Sequence, residues 1–258
     1  MRHTSTLLIL SAALSLPAIA RAELDPGEVR ELLVEIDERQ RAPGDYKALA
    51  LIEQSRQGET DSIFQSAIYR NDEDDRFMIL FLKPRAEAGK GYLRIEQNMF
   101  MYDPTVGKWE RRTERERLMG TDTRRADLDE WRLSEQYEGR FVADETLGRF
   151  PVHHLELTAK DDARVPYPKM HVWVDQASHN VLKRQDYALS GRLMRTAYYP
   201  KWRRLTAPGG REVRYPEEMR ILDEVEKGNR TTVVITKLDL RDLDPNLFTK
   251  AWLESRSR

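Results

Sequence analysis

The chain contains no cysteine. No disulfide, thiolate nucleophile or cysteine-bound zinc is therefore available, and the fold must be held by packing alone. With no cysteine after the first apolar stretch, anchoring through an N-terminal lipidated cysteine is also excluded. Gly-x-Ser-x-Gly, His-Glu-x-x-His, Walker and dinucleotide patterns are missing too, which removes the common catalytic signatures. An excess of one charge is lacking: 43 Lys and Arg stand against 44 Asp and Glu. That balance argues against nucleic acid as a partner. Pro/Ser-rich tracts, repeats and charge blocks that would divide the chain are absent, so one domain is expected.

The one long apolar run opens the sequence. Arg2 and His3 form a weakly positive start, Leu7 to Leu16 an apolar stretch, and Ala20-Arg21-Ala22 an A-x-A site. This predicts a signal peptide over residues 1–22, cleaved after Ala22, and a periplasmic destination. The stretch is too short and alanine-rich for a membrane span. Removing Arg2 and Arg21 from the 43 basic residues leaves 41 against 44 acidic ones, a charge of −3. The rest, residues 23–258, is long enough for one well-packed domain.

A helix is announced at its start. Asp25 is a candidate N-cap, Pro26 falls at the first helical position and Glu28 completes a capping pattern. Val29, Leu32, Leu33 and Ile36 then recur at helical spacing, opposite Arg30, Glu31, Glu35 and Glu38. Ala42-Pro43-Gly44-Asp45 is expected to end it.

After that, strand patterns dominate. Tyr46–Arg56 and Thr60–Arg70 flank a Gln57-Gly58-Glu59 turn. Short runs follow over residues 77–82, 89–95, 98–104 and 107–112. In the first of these, Phe77, Ile79 and Phe81 point one way and Met78, Leu80 and Leu82 the other. A strand apolar on both faces must be covered twice, by a core and by a lid, partner or lipid. Residues 118–135 read as a loop with a short helix. Strands resume over 136–143, 151–160, 169–175, 181–188, 193–199, 212–215, 218–224 and 231–238, and Asp244–Leu253 reads as a capped final helix. Consecutive hairpins of about a dozen strands must curl, stack or close. The expected fold is α+β: an antiparallel, strongly curved, unclosed β-barrel whose hollow receives the leading helix as a lid.

Candidate chemistry is sparse. His153 and His154 are adjacent and so project to opposite strand faces; one of them at most can join His171. Glu156 or Asp175 would be needed to complete a metal site, but the spacing matches no compact motif, and ordinary strand histidines are expected. Acidic residues sit mostly beside Lys or Arg, as in the run from Arg111 to Arg117, and read as a solvated face. Met78, Met99, Met101, Met119, Met170, Met194 and Met219 are spread over the strands, suited to a cavity that adapts to acyl chains or simply to a β core.

The run Phe77–Pro84, the strand Gly91-Tyr92-Leu93, the hairpin Met101-Tyr102-Asp103-Pro104 with Trp109 and Arg111-Arg112, and the loop Met119-Gly120-Thr121-Asp122 resemble the outer-membrane lipoprotein-sorting family of LolA-like periplasmic carriers. Tyr198-Tyr199, the strand Thr231–Leu240 and Asn246-Leu247-Phe248-Thr249 fit the same template. The resemblance implies an unclosed barrel covered by helices around a cavity for lipid or lipoprotein acyl chains, with no cofactor, no metal and no catalysis. Cargo would pass from an inner-membrane exporter complex to an outer-membrane acceptor. Candidate cavity residues are Val29, Leu33 and Ile36 from the helix, and Leu49, Leu51, Phe77, Ile79, Phe81, Leu93, Ile95 and Phe100 from the strands. The alternative is an interaction module that senses lipid or lipoprotein and regulates a membrane partner. A periplasmic hydrolase or metal protein built on His153 or His154 with His171 ranks below both.

Overall fold

The computed structural model describes residues 23–40, 45–71, 74–95, 98–113, 116–123, 127, 131–207, 209–210 and 212–257. The signal-peptide reading and the turn expected at residues 42–44 lie outside the described residues. Helix α1 (Pro26–Gln40) is followed by strands β1 (Asp45–Ser55), β2 (Ser62–Asn71), β3 (Arg76–Lys83), β4 (Gly91–Ile95), β5 (Asn98–Asp103) and β6 (Lys108–Arg112). A 3-10 turn (Leu118–Gly120) and a short helix α2 (Leu133–Gln136) lead to β7 (Tyr137–Leu147), β8 (Phe150–Ala159), β9 (Lys169–Asp175), β10 (Val181–Tyr187), β11 (Leu193–Thr206), β12 (Glu212–Asp223) and β13 (Arg230–Leu240). The chain ends in a second 3-10 turn (Pro245–Phe248) and helix α3 (Lys250–Arg256).

All thirteen strands form one sheet in the order β6-β5-β4-β3-β2-β1-β13-β12-β11-β10-β9-β8-β7. Two antiparallel meanders therefore meet in the middle, where β1 pairs with β13. The sheet does not close, because β6 and β7 lie at opposite edges. Register shifts in β1/β13, β2/β3, β7/β8, β10/β11 and β11/β12 bend the ladders, as bulges do by raising local twist.

This order has a direct consequence for the link between β6 and β7. It starts at one edge of the sheet and must reach the other, so it crosses a whole face. Its fixed points mark the route. The Met119 amide donates to the Tyr92 hydroxyl on β4 at 2.9 Å. The Asp122 amide donates to Thr231 Oγ1 on β13 at 2.8 Å. Asp127 pairs with Arg184 on β10 and Arg195 on β11. The Leu133 amide donates to Asp37 of α1 at 2.9 Å. We call the face under this link and α1 the inner face.

The capping pattern of α1 is realised: the Asp25 amide donates to Glu28 Oε2 at 2.8 Å and the Glu28 amide to Asp25 Oδ1 at 2.9 Å. Its stripe Val29, Leu32, Leu33 and Ile36 is buried against Leu133, Tyr137, Leu155, Leu157 and Ile221. Gly139 on β7 makes this close approach possible, since a Cβ there would lie 2.7 Å from Val29 Cγ1 and 2.9 Å from Leu33 Cδ1.

The alternation expected for β3 is present. Phe77, Ile79 and Phe81 join the inner-face core and Met78 the outer one, while Leu82 is exposed. The second cover is the chain's own tail: Leu247, Phe248 and Leu253 pack on Ala67, Tyr69, Met78 and Leu93 from outside. Trp109 Nε1 donates to Glu254 Oε1 at 2.6 Å and fastens α3 to β6.

Four expected boundaries are corrected, the first being the strand read at 193–199, which β11 continues to Thr206. The strands read at 212–215 and 218–224 are one strand, β12. Pro216 is tolerated inside it because pairing with β13 begins only at Glu218, leaving the first half of β12 with a free edge. β7 extends to Leu147 instead of residue 143, past a register shift at Phe141/Ala143. The final helix is broken at Thr249, whose extended backbone separates the 3-10 turn from α3 while its hydroxyl accepts the Trp252 amide.

Candidate functional site

The inner face carries two apolar clusters. One lies over β1–β5, with Ala48, Ala50, Ile52, Phe64, Ile68, Phe77, Ile79, Phe81, Tyr92 and Met99, and is capped by Leu118 of the link. Phe81 meets Phe64 and Tyr92 edge to face, with centroids 6.0 and 6.3 Å apart. The other lies over β7–β12 beneath α1 and α2.

Of the predicted cavity residues, Phe77, Ile79 and Phe81 fall in the first cluster and Val29, Leu33 and Ile36 in the second. They share one face but do not form one group, because α1 lies on the half of the sheet away from β3. The placing of Leu49, Leu51, Leu93, Ile95 and Phe100 on the inner face is corrected. Leu93 is buried, and Leu49 partly, in the outer core under the tail, and Phe100 lies beneath Lys250 of α3 at 4.5 Å. Leu51 and Ile95 share that outer parity and are exposed. A strand covered on both sides has no polar alternation to reveal its register, and the tail's docking site is not readable from these runs.

The link is held by polar anchors. Around Met119-Gly120-Thr121-Asp122, the Thr121 hydroxyl donates to the Leu118 carbonyl at 2.7 Å and the Leu118 amide to the Thr123 carbonyl at 2.8 Å. Met119 at φ 50° and Gly120 at φ 70° make the sharp turn that turns Asp122 inward. The Thr231 hydroxyl donates back to Asp122 Oδ2 at 3.1 Å. Burial raises the Asp122 carboxyl above the ordinary range, against the Thr231 hydrogen bond and Arg117. Arg117 also pairs with Asp223.

Further along, the Asp127 side chain is 1 % exposed between Arg184 and Arg195, and Asp186 completes the cluster, accepting from Arg195 Nε at 2.6 Å and Arg184 Nη2 at 3.1 Å. Tyr137, Tyr167, Tyr199 and Trp131 surround it. Burial raises the Tyr199 hydroxyl to about 12 and pushes Tyr137 up as well, so both phenols stay neutral. Carboxylates and guanidinium groups balance here in a nearly dry site, where removal of one partner strands the others. Sequence reading missed Asp127, Arg184, Asp186 and Arg195. The available signal was Arg184 and Asp186 at i and i+2, which places opposite charges on one strand face.

On the outer face, His154 and His171 do come together, and His153 points to the inner side near Phe141. His179 is bound to Glu35 of α1 at 2.6 Å. Among the described residues, no group of three or more His, Asp or Glu side chains is arranged to hold a metal ion.

A family model described as an uncharacterized protein matches residues 73–255. The chain belongs to that family. No curated protein matches the sequence. Solved structures share the fold at low identity. A domain described as that of an outer membrane lipoprotein-sorting protein, from Vibrio parahaemolyticus, is 21% identical over 89% of this chain and 100% of its own, with a TM-score of 0.76. A DUF1329 family protein from Desulfovibrio piger is 20% identical over 89% and 100%, with a TM-score of 0.77. A LolA superfamily protein from Nitrosomonas europaea is 20% identical over 87% and 98%, with a TM-score of 0.71. The family fold is thus the LolA-like curved, open half-barrel with helical covers, as expected from the sequence.

Proposed function

We propose that the mature chain, residues 23–258 after removal of residues 1–22, is a periplasmic carrier of acyl chains. It takes a lipoprotein or phospholipid from an inner-membrane exporter complex, shields the chains against the inner face, and passes them to an outer-membrane acceptor. No bond is made or broken in this cycle, and no cofactor is used. The observation that carries this reading is the apolar inner face beneath a link that the topology forces across it and that polar anchors hold down. Likeness of fold to a lipoprotein-sorting domain supports it.

In this reading Phe77, Ile79 and Phe81, with Phe64 and Met99 beside them, receive the chains when Leu118 and Met119 move aside. Val29, Leu33 and Ile36 extend the surface if α1 shifts. Each buried methylene contributes about 0.8 kcal/mol, so a long chain offsets the lost contacts of the cover. Return of the cover to its anchors then favours release.

The absence of cysteine makes a clean test possible. Asp122→Cys with Thr231→Cys replaces a contact of 3.1 Å by a disulfide between link and β13. Oxidised protein is expected to lose uptake of a fluorescent fatty acid or a triacylated peptide, and reduction to restore it. Equal uptake by the oxidised and reduced forms would overturn the opening of the link.

A further inference from the structure

Every neighbouring pair of strands is antiparallel, so the hairpins turn alternately at two ends of the sheet. Ser55 near the β1–β2 turn stands opposite Arg230 at the start of β13, Tyr187 opposite Leu193, and Asp103 opposite Lys108. The β1–β2, β5–β6, β10–β11 and β12–β13 turns therefore share one end. Three of them repeat one pattern, an exposed aliphatic residue followed within three positions by an exposed cation: Val106 and Lys108, Leu189 and Arg192, Val225 and Lys227.

Among the described residues, the three most exposed large apolar side chains are Leu189 at 91%, Val106 at 62% and Ile63 at 61%, and all three lie at this end, Ile63 just after the β1–β2 turn. Single apolar residues scattered on a surface need no explanation; gathered on hairpin tips and accompanied by cations, they do. The opposite end differs. Its exposed large apolar residues, Ile95 and Phe150, reach only 37% and 38%, and the Arg149 guanidinium lies over the Phe150 ring at 5.1 Å. Its β2–β3 turn carries Asp74 and Asp75. A cavity of about 870 Å³ opens at the first end, lined by Arg56, Arg117, Arg192, Glu224 and Lys227 with others. Arg56 donates to the Gly120 carbonyl and Arg117 pairs with Asp223, so this cavity adjoins the turn that anchors the link.

We propose that this end of the half-barrel docks on the surface of an anionic phospholipid bilayer, with Val106, Leu189 and Val225 entering the headgroup layer and Lys108, Arg192 and Lys227 at the phosphates. Aliphatic side chains gain by leaving water for the boundary between headgroups and acyl chains. Cations beside them are drawn to an anionic leaflet, within a range that salt shortens. The tips are spread along the rim, from β5–β6 near one edge of the sheet to β10–β11 beyond the β1–β13 seam. A protein partner is recognised through a continuous apolar centre with a polar rim. Separate aliphatic points divided by cations suit a fluid lipid surface, which meets each of them. Docking in this orientation brings the cavity and the anchored turn to the membrane. That purpose rests on the carrier reading; the contact itself does not.

The test is co-sedimentation of the mature protein with protein-free vesicles of phosphatidylethanolamine and phosphatidylglycerol, set against phosphatidylcholine vesicles. Binding is expected on the anionic vesicles, weaker on phosphatidylcholine and at raised salt. Val106→Asp with Leu189→Asp should weaken it by about tenfold or more, and Arg192→Glu with Lys227→Glu by a similar factor. Phe150→Asp at the opposite end should leave it unchanged. Because the chain has no cysteine, the Leu189→Cys and Phe150→Cys variants can each carry one environment-sensitive dye; emission should shift to the blue on vesicles at position 189 and stay fixed at 150. This second readout decides the matter if a charged variant does not fold. Absence of binding, binding indifferent to the tip substitutions, or a shift at 150 in place of 189 would each overturn the proposal. Binding to native inner-membrane vesicles but not to protein-free ones would overturn it in favour of a protein partner. Uptake of a fluorescent fatty acid separates the two readings. Uptake without vesicle binding leaves the carrier and removes the docking, whereas vesicle binding through the tips without uptake supports the docking and contradicts the carrier.

Discussion

At the residue scale, Asp122 links structure to pH. Its carboxyl is buried beside Thr231 on the inner face and titrates above the ordinary carboxylate range. A carboxyl raised on folding binds protons more tightly in the folded chain than in the unfolded one. Its contribution favours folding at low pH and is lost as pH rises through the raised value. Asp122→Asn keeps an acceptor for the Thr231 hydroxyl and removes the charge. The variant is expected to match the wild type near the bottom of the carboxylate range and to exceed it in stability at pH 7, by urea denaturation at both pH values. A variant less stable at pH 7 would show that the carboxylate pairs favourably with Arg117. The residue itself was legible, since Met119-Gly120-Thr121-Asp122 stood out in the sequence. Its partner was not: Thr231 lies 109 residues away, and only the topology brings the two together.

At the element scale, α1 and the β6–β7 link are the covers, and each is tied down differently. α1 sits by apolar contact, with Gly139 marking the point of closest approach. Gly139→Ala pushes a methyl into Val29 Cγ1, a stiff β-branched side chain that cannot swing away. Overpacking of this kind costs about 1–3 kcal/mol; the expected result is a lower urea midpoint with the far-ultraviolet spectrum preserved. An unchanged midpoint would mean that α1 adjusts freely on β7. The helix was legible from Asp25, Pro26 and Glu28 because capping is local chemistry. Where it lies was not legible: its stripe fits any apolar surface, and β3 looked as suitable as β7. Similarly, Leu93 and Phe100 read as cavity residues because nothing in their strands reveals that α3 covers the outer face.

At the scale of the whole molecule, the strand order explains the cover. Two meanders joined at β1 and β13 put the ends of the middle segment at opposite edges, so the link has no path except across a face. The hairpins were readable one by one from their turns, and with them the antiparallel class and the open curl. The pairing of the first strand with the last was not, since it joins residues as far apart as Tyr46 and Leu240. From that pairing follow the crossing link, its anchors at Thr231, Arg184 and Arg195, and the account of the inner face as a site that is exposed when the link moves. The most direct test is native mass spectrometry, with solvent extraction, of mature protein purified from periplasm without detergent. The account predicts co-purified phospholipid or acylated peptide, released on extraction and regained when either is offered to the emptied protein. Protein recovered empty every time, with no uptake of offered lipid or lipoprotein, would contradict it.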